Sequence, residues 1–172
     1  MDIHRFIRTL IAGGALGAVA FWLYQIAFQG GAITAFIGGQ IVSQGKYPLP
    51  PSLVGWAVHL GVSFSYAGLL ALLLQLPLSS SAAARRGAGL AVALVLVLGW
   101  ATTKVAPPAI QVTISLLSLK GFPSPLWGLN EGAGHPLWNH LLFFALVWAV
   151  DLALSASRPA LPLPGAPQGR TA

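Results

Sequence analysis

Four apolar stretches of this chain are as long as a bilayer crossing, three of them without a charge and the fourth carrying only Asp151. Crossing about 30 Å of hydrocarbon takes roughly 20 helical residues. Thr9 to Phe28, Leu53 to Leu76, Gly87 to Thr103 and Leu137 to about Ala156 meet or approach that length. The third continues to Ala106 if Lys104 snorkels to the interface, and Pro107-Pro108 end it there. The fourth opens at Pro136, a residue type suited to a helix start. An isolated strand in lipid leaves backbone N–H and C=O groups unpaired, so the four stretches are helices. The pattern therefore predicts an all-α membrane protein. It is a four-transmembrane-helix bundle over about 9–28, 53–76, 87–106 and 137–156, one domain across residues 1–157. The tail 158–172 is rich in Pro, Gly and Ala and is predicted to be disordered.

Two long loops separate the spans on one side. Gln29 to Ser52 holds Gly30-Gly31, Gly38-Gly39 and Pro48-Leu49-Pro50-Pro51 around the apolar islands Ile33 to Ile37 and Ile41-Val42, and is expected to lie against the bilayer interface. In Pro107 to His135, the run Ile110 to Leu116 alternates apolar and polar positions like a strand. Ile110, Ile114 and Leu117 also recur at helical spacing, so an interfacial helix is an equal alternative.

Composition confirms the solvent. Apolar residues fill 56% of the 172 positions and charged ones 7%, with mean hydropathy +0.77, against roughly a quarter charged in a soluble chain. The net charge of +6 is spread over single or paired basic residues, without the clustered stripe that tracking phosphates requires. Nucleic acid is thus not an expected partner; the bilayer is. With no cysteine there is no disulfide, thiolate zinc site or iron–sulfur cluster. Arg5, Arg8, Arg85, Arg86, Arg158 and Arg170 fall on one side of the spans, Lys46, Lys104 and Lys120 on the other. The positive-inside rule puts both termini in the cytoplasm. Arg5 and Arg8 ahead of Ala18-Val19-Ala20 have the outline of a cleaved signal, but the apolar run continues through Tyr24, beyond a signal core.

The few polar side chains gather toward the outer side. His59, Ser63 and Tyr66 follow one another at i, i+4 and i+7 on one face of the second span. Lys104 ends the third span, Glu131 and His135 precede the fourth, and Asn139 and His140 lie in its first turns. An ionisable group in a membrane helix is a site candidate by default. His59 and His140 are candidate axial ligands of a haem, and Glu131 with His135 a candidate metal pair. The alternative for His59 is a hydrogen bond to a neighbouring helix carbonyl. Lys104 reads as an interfacial anchor, and Asp151 as a partner of Arg158 or Arg85 or else a proton relay. Trp22, Trp100, Trp127 and Trp138 suit an aromatic belt. Gly13-x-x-x-Gly17 and Ala57-x-x-x-Gly61-x-x-x-Ser65 are ridges for close packing, of the first span on the second or of the chain on a copy of itself. No phosphate-binding loop, His-Glu-x-x-His or nucleophile elbow occurs, and no catalytic residue is assigned. Three functions stay open: a non-enzymatic structural or accessory element packing with itself or a partner membrane complex, a haem- or metal-binding protein, and a small proton or solute pathway.

Glu131-x-x-Gly134-His135-x-x-Trp138 resembles the entry to the last span of the YagU-like bacterial inner-membrane proteins. Leu10-Ile11-Ala12-Gly13, Pro48-Leu49-Pro50-Pro51, His59 with Ser63, and Pro107-Pro108 resemble further parts of that family in chain order. The family's first outer loop is longer, and its basic run after the last span is reduced here to Arg158. The resemblance implies a small multi-pass protein of the bacterial inner membrane, with no established reaction.

Overall fold

The computed structural model describes residues 2–75 and 83–156, with the side chains of 83–86 set aside. The expected tail, Arg158 and Arg170 lie outside the described residues, as does Leu76, the predicted end of the second span. Among the described residues the chain is helical, without strands. The helices are α1 (Ile3–Gln29), α2 (Ile33–Gly45), α3 (Pro51–Leu74), α4 (Ala83–Leu117) and α5 (Gly134–Ala156). Four of them, α1, α3, α4 from Gly87 and α5, are long and apolar enough to cross a membrane. Leu16, Leu23, Ile26, Leu69, Leu96 and Val97 are all exposed on their flanks, an apolar surface that only lipid or another apolar protein face satisfies. The chain is a multi-pass membrane protein.

Each helix end has a local cause. The Asp2 carboxylate accepts the N–H groups of His4 and Arg5 at 3.1 and 3.2 Å and caps α1, which therefore begins before the predicted Thr9. A π-helical turn, Thr9–Gly13, interrupts α1. Gly30, in the left-handed region at φ 70°, ends it. Pro50-Pro51 opens α3, where a missing N–H costs nothing.

Two expectations for the loops change. The Gln29–Ser52 segment, expected as a loop, contains a helix: thirteen of its residues form α2, which packs on α3 and α4. Pro107 and Pro108 do not end the third span; both lie inside α4, which carries on to Leu117. A proline at position i deprives the carbonyl at i−4 of its donor, and for Pro108 that carbonyl is Lys104 O. The Asn130 N–H supplies that donor at 2.9 Å, so the carbonyl that Pro108 leaves free is paired. Beyond Leu117 the chain turns back along α4, where Gln111 holds it twice. Its Nε2 donates to Pro125 O at 3.1 Å and its Oε1 accepts Trp127 N–H at 2.7 Å. We expect Gln111→Leu to free this strap. Tryptic cleavage after Lys120 should then accelerate about thirtyfold, because two hydrogen bonds of ~1 kcal/mol each hold the closed form.

The helices form a ring. α1 packs on α3 and α5, α5 on α4, and α2 joins α3 to α4, which otherwise hardly touch. Two clusters fill it. At the end where α1 begins and α5 ends, Ala67, Leu70, Val95, Phe143, Phe144 and Val147 pack together. At the opposite, loop end, Ile37, Ile41 and Ile114 do so with Val54, Val58 and Ile110. The glycine ridges pack differently from expectation. A Cβ on Gly13 or Gly17 would meet Val147 or Phe143 of α5, while Gly14 is the residue that meets α3, through Phe64. Ala57, Gly61 and Ser65 are exposed, and among the described residues nothing lies within 4 Å of a Cβ placed on Gly61.

Candidate functional site

Because α2 holds α3 and α4 apart, the ring leaves a partly open cavity of about 430 Å³ between the two clusters. Its walls are mainly apolar and aromatic, and among the described residues no Asp, Glu, Lys or Arg lines it. The polar stripe of α3 lies on one wall as His59, Ser63 and Tyr66, and α5 contributes Asn139 and His140 on another. Gln25 enters from α1.

Three of these groups converge on Phe21. The His59 and His140 rings lie 5.6 and 5.1 Å from the Phe21 ring, centre to centre. The Asn139 Nδ2 donates to Phe21 O at 3.3 Å. His59 Nε2 pairs with Ala18 O at 2.9 Å; a carbonyl only accepts, so Nε2 carries the hydrogen and Nδ1 keeps the lone pair. His140 Nδ1 pairs with Pro136 O at 2.8 Å, which by the same reasoning leaves its lone pair on Nε2. Thr103 Oγ1 stands 3.2 Å from the same Nδ1 and donates its own hydrogen to Gly99 O at 2.7 Å. Both imidazoles are thus held by backbone carbonyls, the arrangement that fixes which nitrogen remains available to a ligand.

Asn139 is the exception to this order. It is fully buried, yet its Oδ1 has no hydrogen-bond partner among the described residues. A buried acceptor left unpaired costs about 1–3 kcal/mol, a cost that a ligand or water hydrogen would relieve.

The other candidates sit elsewhere. His135 is exposed, its Nδ1 3.0 Å from Tyr24 Oη and its ring stacked against Phe28. Lys104 Nζ donates to the Glu131 backbone carbonyl at 3.1 Å. Neither Lys104, Glu131 nor His135 lines the cavity, and among the described residues no three His, Asp or Glu side chains group as metal ligands. The expected outer cluster is therefore divided, with His59 and His140 inside and the rest at the rim. Asp151 lies near the far end of the bundle, buried against Arg5 and Thr9. Its partner among the described residues is Arg5 of α1; the expected partners, Arg158 and the Arg85 side chain, lie outside the described residues.

The pairing of α3 with α5 was not legible in the sequence, nor were Phe21, Gln25 and Thr103 as members of the site. Phe21 and Gln25 look like ordinary span residues, and only the packing of α1 brings them to the histidines. The fold and cavity together define a helical membrane protein with a chambered bundle. No protein family, no curated protein and no solved structure matches this chain.

Proposed function

We propose that this is a non-enzymatic protein of the bacterial inner membrane whose chamber holds a small membrane-soluble molecule. The observation that carries the reading is the unpartnered Oδ1 of Asn139, buried in the wall of the cavity, beside two imidazoles with one lone pair each. A cavity of a few hundred Å³ with apolar walls and a few convergent polar groups is the usual form of a small-molecule site. Both termini face the cytoplasm in this proposal. Arg5 and Arg8 begin α1 and Arg85-Arg86 begin α4, while Lys46, Lys104 and Lys120 belong to the opposite end. An accessory role beside another membrane protein is favoured by a separate observation, the exposed Ala57, Gly61 and Ser65 ridge, and a chambered protein can have both.

The test uses protein extracted into native-membrane discs without detergent, beside an Ala106→Phe variant that adds a ring at a cavity-lining position. The expected result is an organic-soluble molecule in stoichiometric amount with the wild type and depleted from the variant, found by mass spectrometry of the extracts. Identical extracts from both proteins sink the reading. An absorption spectrum of the same discs identifies the molecule as haem if a Soret band appears and is lost on replacing His59 and His140 by alanine.

A further inference from the structure

The polar groups in the chamber specify more than the presence of a ligand. Around Phe21 the unused atoms are Asn139 Oδ1, His59 Nδ1 and His140 Nε2, and all three are hydrogen-bond acceptors. One hydrogen of each side chain is already committed, to Phe21 O, Ala18 O and Pro136 O, which leaves the second Nδ2 hydrogen of Asn139 as the one donor these three side chains still offer. About a turn away on either side lie groups that can donate. Gln25 has its Oε1 on the Ile33 N–H at 2.9 Å, which leaves its amide N–H₂, and Ser63 has its hydroxyl. Three acceptors against one donor in the centre favour a ligand head that gives a hydrogen there, and it is free to accept one at the edge. A hydroxyl does both; a ketone, ester carbonyl or ether gives none. A charged head is disfavoured as well, because among the described residues no charged side chain lines the chamber to compensate it.

We infer that the chamber selects a neutral apolar molecule with a hydroxyl head, either a phenol or quinol or a long-chain alcohol, its hydroxyl set among Asn139, His59 and His140. This rests on the reading of the chamber as a ligand site. The aromatic lining by Phe21, Tyr66 and Phe143 suits a ring, and the apolar wall of Ile33, Val58 and Ile110 suits a tail.

The experiment compares molecules that differ only in the hydrogen. Purified full-length protein in lipid nanodiscs is equilibrated with 4-octylphenol or its methyl ether, and with 1-dodecanol or its methyl ether. Binding is read as the excess over empty discs of the same lipid. The expected result is that at least one hydroxyl compound binds about tenfold or more tightly than its ether, a preference that shrinks in Asn139→Leu. Which pair shows it tells a ring-borne hydroxyl from an aliphatic one. Equal binding of hydroxyl compound and ether, lost in Ala106→Phe, overturns the hydroxyl inference and leaves the ligand site standing. No binding above empty discs by any of the four overturns both. The comparison of ligands on the wild-type protein decides the matter even where a variant fails to fold.

Discussion

Arg5→Ala is expected to destabilise the bundle by about 3–5 kcal/mol, the range for stranding one partner of a buried ion pair. Asp151 lies in α5 with 1% of its surface exposed. Arg5 Nε donates to its Oδ1 at 2.8 Å, Arg5 Nη2 donates to Oδ2, and Thr9 Oγ1 donates to Oδ1 at 2.9 Å. Arg5 and Thr9 are one helical turn apart, so one face of α1 supplies all three donors. Without the guanidinium, the carboxylate stays buried with a single hydroxyl.

The reverse change is milder. The Arg5 side chain is 27% exposed, so after Asp151→Ala its head can reach the headgroup region; the loss is expected to be about 1–2 kcal/mol. Arg5→Leu with Asp151→Leu should recover most of the loss, since removing a buried pair together avoids leaving a lone charge. Unfolding of the four proteins in one detergent gives the coupling directly. Equal and small effects of the two single changes would show that the pair contributes nothing to stability.

Gly38→Ala and Gly55→Ala are the second pair of large effects. A Cβ on Gly38 would stand 1.9 Å from Pro51 O, and one on Gly55 2.0 Å from Thr34 O. Both obstacles are backbone atoms, so no side-chain rotation relieves them and α2 must move off α3. Each change is expected to cost about 3 kcal/mol, the upper part of the range for overpacking. Hydrogen exchange should quicken in α2 and the first turns of α3 before it does elsewhere. Gly39→Ala and Gly61→Ala serve as controls, because nothing lies within 4 Å of a Cβ at either position. If Gly38→Ala behaves like Gly39→Ala, the close crossing of α2 and α3 is wrong. The consequence reaches the chamber too, since it exists because α2 is wedged between α3 and α4.

Much of the candidate site was visible as residues and little of it as a place. The spacing of His59, Ser63 and Tyr66 put them on one face of a helix, and that face does line the chamber. The same spacing argument put Ala57, Gly61 and Ser65 on a packing face, yet it is turned away from the bundle. Both stripes are sound descriptions of one helix, and neither contains the information about which neighbour it meets. Pro107-Pro108 misled for a related reason. A proline leaves the carbonyl four residues back without its donor, and for Pro108 a substitute donor, Asn130 N–H, comes from 22 residues further along the chain.

What the sequence by itself determined is the solvent, the four crossings and the short supply of polar groups. Transfer of a segment into lipid is close to a sum over its own residues, so it can be read along the chain. The ring order, the wedge of α2, the chamber and the Arg5–Asp151 pair across 146 residues were decided only by tertiary structure. Lipid tails are as apolar as leucine, so neighbours in a membrane are chosen by close packing and a few hydrogen bonds. Those are energies between surfaces, and they become defined when the surfaces meet.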